Sequence, residues 1–337
     1  MDSDVLVQIP RIKVFCYYRT TMKIDLGKIF SSKNITQSSQ SLYERNLVRL
    51  NDGNEIKNFN FLKDKEATLS KLEKYKPNTQ RTYIISIVSL LKCLIEIHPT
   101  SKLYKKLYST YYAVLNEMNT SLKTANVKTE KEKENWITQE EVLEKWSELK
   151  AKVGLFEGKS KKKFTESEFD ALRNFLLLSL YALQKPRRNR DYQDMIVVKK
   201  TPPTTSDTSN VLDLKENKFV FNNFKTKKKY ETQTVTISPE LREIIDMYLK
   251  HHPTYKPTSN DPPVQLLVTF DGVPFTKNND ITRMLYKIFD NKKVGVNMLR
   301  HIFLTDKYKD VMAEMKQDAT QMGTSSNMVQ DHYIKVD

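Results

Sequence analysis

Apolar residues recur along this chain first with a helical period and later with an alternating one, which predicts a helical region followed by a mixed one. Leu42, Leu47 and Leu50, with Asn46, share a stripe that starts at Gln40 and closes at Asn51-Asp52-Gly53-Asn54. Leu69, Leu72 and Tyr75 form a second stripe, stopped by Pro77. Asn78-Thr79 caps a longer helix carrying Tyr83, Ile84, Ile87, Val88, Leu91 and Ile95, which ends at Pro99. A fourth runs through Leu103, Leu107, Tyr111, Val114, Leu115 and Met118. These helices predict a compact bundle over 35–135. Residues 1–34 show no clear period and suit an arm or accessory element.

Residues 123–135 are charge-dense without an apolar stripe and read as a linker. Thr138-Gln139-Glu140-Glu141 is a capping box before Val142, Leu143 and Trp146. Lys159, Lys161, Lys162 and Lys163 follow, so 136–164 is expected as a basic linker or hinge. A second capping box, Thr165-Glu166-Ser167-Glu168, opens an apolar helix through Phe169, Leu172, Leu176 and Leu180 that ends before Pro186. Within 165–337, residues 218–222 and 233–237 alternate like two half-buried strands joined by a basic loop, and 264–270 is a further strand candidate. Ser238-Pro239 starts a helix with Leu241, Ile244, Ile245 and Tyr248. Ile281, Leu285 and Ile288 mark another, and 298–309 the next. The expected class is mainly α with a small antiparallel β-sheet, α+β.

Composition narrows the partner. A chain of 337 residues passes the ~250–300 at which single cores stop growing, so two domains are natural. Its net charge of +15 points to a polyanion, of which nucleic acid is the commonest. Cys16 and Cys93 are unpaired by spacing, which fits a reducing, intracellular setting. No Cys/His run has zinc spacing and no Gly-rich phosphate loop occurs, so no metal and no cofactor are expected. The N-terminus lacks a signal-peptide core and the longest apolar runs are far too short for a bilayer, which predicts a soluble protein without a membrane partner.

Four short segments carry the candidate chemistry. They are Pro186-Arg187-Arg188-Asn189-Arg190-Asp191-Tyr192, Lys225-Thr226-Lys227-Lys228-Lys229, Asn297-Met298-Leu299-Arg300-His301, and Gly323-Thr324 with Tyr333 nine positions after Thr324. Singly, each is ordinary: a helix stop, a solvated hairpin tip, an arginine on an apolar helix, a terminal aromatic. Together they are what a phenol needs to attack a phosphodiester. A tyrosine hydroxyl is a weak nucleophile at neutral pH, so its target must be held and neutralised by fixed cations. Arginine suits this because its planar fork grips phosphate in two places and stays charged.

In order and spacing these segments resemble the catalytic domain of tyrosine recombinases, the phage-integrase family, over about 165–336. Arg188 with Asp191 three later resembles the first arginine box. Lys225 resembles the hairpin lysine, Arg300 the arginine of His-x-x-Arg, and Tyr333 the nucleophile. Arg187 and His301 flank those positions. The wording of Pro-Arg-Arg-x-x-Asp-Tyr and Met-Leu-Arg-His-Ile-Phe is similar to integrases of virophages and giant viruses, which would place the protein in a host nucleus or cytoplasmic virus factory. The resemblance implies a helical core-binding domain over 35–135 and a catalytic domain over 165–337, closing as a clamp on double-stranded DNA. Lys159, Lys161, Lys162, Lys163, Lys227, Lys228 and Lys229 are the expected DNA contacts. Asn297 and Thr324 depart from the family, which has histidine or lysine at the first and histidine or tryptophan at the second. Asn and Thr donate hydrogen bonds but cannot serve as acids or bases near pH 7.

The implied activity is DNA integration or site-specific recombination through a 3′-phosphotyrosyl intermediate. A type IB topoisomerase and a catalytically impaired DNA-binding descendant are the alternatives. With only four residues beyond Tyr333, about one helical turn, the expectation is a monomer free in solution, a multimer on DNA, and a loosely held tail over 325–337.

Overall fold

The computed structural model describes residues 23–31, 33–122, 130–157, 163–199, 208–256, 263–277 and 279–335. The chain divides into two units, Met1–Lys128 and Thr129–Asp337.

The first unit is helical. Asp25 caps α1 (Leu26–Phe30) by accepting the Lys28 N–H, and Leu26 and Phe30 are buried. Part of the segment expected as an arm is therefore core; residues 1–22 lie outside the described residues. Thr36 caps α2 (Gln37–Leu50), which buries Asn46, Leu47 and Leu50. The chain then turns through Asp52 and Gly53 at positive φ, a conformation that glycine enters without strain. A short α3 (Lys65–Ser70) precedes α4 (Pro77–Ile97). The N-cap of α4 is Lys76, without a side-chain bond, and not Asn78-Thr79. Pro77 explains the shift: its fixed φ suits the first helical position, where no N–H is needed. Helix α5 (Lys102–Leu122) completes the packing. Two buried polar contacts pin it: Tyr111 Oη donates to the Leu62 carbonyl at 3.0 Å and Asn46 Nδ2 to Ser86 Oγ at 3.0 Å.

The second unit starts earlier than the sequence suggested. After α6 (Glu130–Asn135), α7 spans Gln139–Glu157 where a basic linker was expected over 136–164. Its capping box is present, with Glu141 accepting the Thr138 N–H at 2.6 Å and Thr138 Oγ1 the Glu141 N–H at 3.1 Å. Val142, Trp146, Val153 and Phe156 are buried in the core of this unit. Their spacing of four, seven and three places them on one face, and Trp146 Nε1 donates to Ser179 Oγ on the next helix at 2.8 Å. The charges that suggested a linker are the solvated back of a core helix. Lys163 is exposed beside this core, while Lys159, Lys161 and Lys162 lie outside the described residues.

Helix α8 (Glu166–Ala182) has its full capping box and buries eleven residues, so it is the central rod of the unit. Then come α9 (Asn189–Gln193), β1 (Ile196–Val198), β2 (Val211–Asp213), β3 (Lys218–Phe221), α10 (Lys227–Tyr230) and β4 (Gln233–Thr236). They are followed by α11 (Pro239–Lys250), β5 (Val264–Gln265), α12 (Asp280–Ile288), α13 (Val296–Gln321) and α14 (Ser326–Met328). The described strands form one sheet in the order β4-β3-β2-β1-β5. This sheet is mixed, not antiparallel as expected, because β1 pairs β2 in parallel, Ile196 against Val211. A parallel pair needs a connection of about a dozen residues or more, which 199–210 supply. The 264–270 strand is shortened to two residues as the chain turns at Gly272, φ +80°. Among the described residues no helix is long and apolar enough to cross a membrane.

Candidate functional site

The break between α8 and α9 sets two neighbouring arginines in opposite circumstances. Arg187 is locked. Its Nε donates to Asp191 Oδ2 at 2.9 Å and one terminal nitrogen to Gln233 Oε1 at 2.8 Å. Its guanidinium lies 3.7 Å from the Phe221 ring centre and 5.2 Å from that of Phe224, the flat stacking that arginine permits. Burial pushes the Asp191 carboxyl above the usual carboxylate range, against the pull of the Arg187 charge and hydrogen bond and of the Arg188 backbone N–H. The carboxylate three residues after Arg188 therefore pairs through its side chain with Arg187.

Arg188 is the N-cap residue of α9, with extended backbone, and is half-buried. Among the described residues it has no side-chain hydrogen bond or ion pair. Arg300, from the first turns of α13, is also half-buried and without such a partner among them. Burial lowers the Arg300 pKa, and the nearby charge of Arg188 lowers it further, with Asp191 opposing and Arg187 adding a smaller depression. Two like charges in a partly desolvated setting, with Asp191 engaged by Arg187, are an arrangement that a bound oxyanion would relieve, which makes Arg188 and Arg300 a candidate anion site.

Polar and aromatic contacts hold this site. Asn189 Nδ2 donates to Thr282 Oγ1 at 3.1 Å, joining α9 to α12. Buried Asn210 gives its amide to the Asp191 and Asn223 carbonyls at 3.0 and 2.9 Å and takes the Asn222 and Asn223 N–H groups at 2.9 and 2.8 Å. Tyr181, fully buried, packs edge-on to Tyr192; its hydroxyl has no hydrogen-bond partner among the described residues, and burial raises its pKa despite nearby Arg300. Gln233, Phe221, Phe224, Asn210 and Tyr181 escaped the sequence reading. They come from strands, the loops beside them and a helix remote in sequence, and follow no motif.

The basic loop begins next to a residue of this site. Phe224, which lies beside Arg187, immediately precedes exposed Lys225. Lys227, Lys228 and Lys229 form the helical turn α10, with Lys228 and Lys229 exposed. On α13, Asn297 is exposed and three residues before Arg300, so the two share a face. His301 is exposed and about 100° further round.

Tyr333 follows α13 in the chain. Beyond α13, Gly323 turns the chain at φ +67°, half-buried Thr324 donates its N–H to the Ala319 carbonyl at 2.8 Å, and Ser325 caps α14. A π-helical turn, Val329–Tyr333, follows. The tail expected to be loosely held is thus helical through residue 333; residues 336–337 lie outside the described residues. Tyr333 is 57% exposed. No hydrogen bond joins it to Arg188, Arg300 or Lys225 among the described residues. The structure brings Arg187, Arg188, Asp191 and Arg300 together; Lys225 follows Phe224 in the chain, and neither Thr324 nor Tyr333 makes a side-chain hydrogen bond to any of them among the described residues. Comparison with protein-family models, with curated proteins and with solved structures returned no match.

Proposed function

We propose that this protein is a DNA integrase or site-specific recombinase that breaks and rejoins strands through a 3′-phosphotyrosyl intermediate. The observation that supports it is the pairing of Arg188 with Arg300, both half-buried, both without a carboxylate partner among the described residues, and close enough for one to depress the other. In this reading the two arginines bind the non-bridging oxygens of a scissile phosphate. Tyr333 Oη attacks phosphorus and loses its proton, the 5′-oxygen leaves, and Lys225 gives that oxygen a proton. The 5′-hydroxyl of a partner strand then reverses the step, so the bond energy is conserved and no energy-rich co-substrate is needed. Arginines spread the charge of the pentavalent phosphorane.

A second reading, a DNA-binding descendant with impaired chemistry, rests on Asn297 and Thr324. One experiment separates them: incubation with a duplex nicked just beyond the cleaved phosphate, so that the short leaving strand diffuses away and a covalent complex accumulates. An SDS-resistant adduct supports the recombinase, and binding without adduct supports the descendant. Relaxation of supercoiled plasmid by lone monomers would point instead to a type IB topoisomerase.

Two further outcomes are expected. Thr324→His should raise the cleavage rate, by up to about 10²-fold, the lower range for one acid–base group, with affinity unchanged; an equal or slower rate would show a pocket adapted to threonine. Log affinity should fall with log salt at about −0.9 per neutralised phosphate. Reversing Lys227, Lys228 and Lys229 together should flatten that slope by up to about three such increments. A flat slope in the unaltered protein would exclude nucleic acid as the main partner.

A further inference from the structure

Helix α13 changes character midway. Val296, Leu299 and Ile302 are buried in the core, and beyond Phe303 the apolar residues move to the other side. Leu304 is 50% exposed, Tyr308 44%, Val311 59% and Met312 50%, with Met315 half-buried. At about 100° per residue, Leu304, Tyr308, Val311 and Met315 fall within one narrow stripe, roughly opposite the face that meets the core. The continuation of the core-facing side is Asp306, Asp310, Ala313 and Gln317. Ala319, four residues beyond Met315 on the same side, is buried but lies outside the main core cluster, so the stretch from Leu304 to Met315 faces away from that core. Its spacing of four, three and four is that of a helix–helix seam.

We propose that two copies of this chain pair along this stripe as antiparallel helices related by a two-fold axis. Read in reverse, the stripe complements itself: Leu304 meets the partner's Met315, and Tyr308 the partner's Val311. Flanking charge selects this direction. Lys307 and Glu314 lie on the same edge of the stripe, and neither makes an ion pair within its own chain among the described residues. In the antiparallel pairing each Lys307 faces the partner's Glu314, giving two ion pairs. In a parallel pairing Lys307 would face the partner's Met312 and Glu314 the partner's Ala319, giving none. Two copies thus meet through one self-complementary patch, the closed geometry expected of a two-fold contact. A seam from 304 to 315 is short, roughly 18 Å, so the pair dissociates on dilution and strengthens wherever two copies are held together. The pairing departs from the free monomer expected from the sequence and is independent of whether the protein acts on DNA.

Sedimentation of the free protein over a concentration series tests it. The dimer fraction should rise with concentration and vanish in Val311→Glu, whose melting temperature should stay unchanged because Val311 is exposed. Lys307→Glu and Glu314→Lys should each weaken association by about tenfold, since each turns two attractive contacts repulsive, and the double exchange should restore it. A monomer at every concentration, association indifferent to Val311→Glu, or a double exchange no better than the single variants would overturn the proposal.

Discussion

Tyr333→Phe is expected to abolish every SDS-resistant protein–DNA adduct while leaving DNA affinity within a few-fold. The substitution removes one oxygen from a ring that is 57% exposed and whose hydroxyl has no hydrogen-bond partner among the described residues. It therefore removes no packing, and folding stability should not change. Any loss is then a loss of the attacking atom. The measurement is the trapped complex on a nicked duplex, with binding followed in parallel. An adduct that survives in the phenylalanine variant would move the nucleophile to another exposed tyrosine. Tyr308, 44% exposed on α13, and Tyr286, partly buried on α12, are the next to replace.

The arginines should separate cleanly by what each substitution damages. Arg188→Ala and Arg300→Ala are each expected to slow cleavage by roughly 10²–10³-fold, the scale of one lost transition-state charge contact. Neither should destabilise the fold. Burial and Arg188 both disfavour the charged form of Arg300 while Asp191 favours it, so removing either charge relieves repulsion against a loss of attraction to Asp191, and the melting temperature should hold. Arg187→Ala should do the reverse. It strands a carboxylate whose side chain is only 4% exposed, and breaking such a buried pair costs about 3–5 kcal/mol, seen as a large fall in melting temperature. Cleavage assays and thermal melts on the same three variants decide the matter. Equal cleavage losses at Arg187 and Arg188 with equal melting temperatures would remove the distinction between them.

Long amphipathic helices were legible in the sequence because a face of three or more apolar residues at helical spacing leaves a period; α2, α4, α5, α8 and α11 follow the expected stripes. Helix α7 was misjudged although its cap was legible, since its lysines and glutamates outnumber Val142, Trp146, Val153 and Phe156. Strands β1 and β2 left no alternation to find: each is three residues long, and β2 is buried throughout. The parallel pairing between them depends on where the chain returns, which no local pattern encodes. In the site, spacing located both Arg188 and Arg300. It could not reveal that Asp191 serves Arg187, because that depends on Gln233, 46 residues away, and on the ring of Phe221. Nor could it place Tyr333, whose distance in sequence from Gly323 says nothing of where the long α13 carries it.

The two unpaired arginines also stand on opposite sides of the sheet in chain order, Arg188 before β1 and Arg300 after β5. On a ribosome adding about 5–20 residues per second, the stretch between them takes on the order of ten seconds to emerge. During that interval the nascent chain already holds Arg187 and Arg188 but lacks the second cation, and the β1 edge awaits the Val264–Gln265 strand. The two arginines can thus meet only after every described strand of the sheet has been made. In the proposed reading, a growing chain cannot grip a phosphate with both arginines before that sheet is complete.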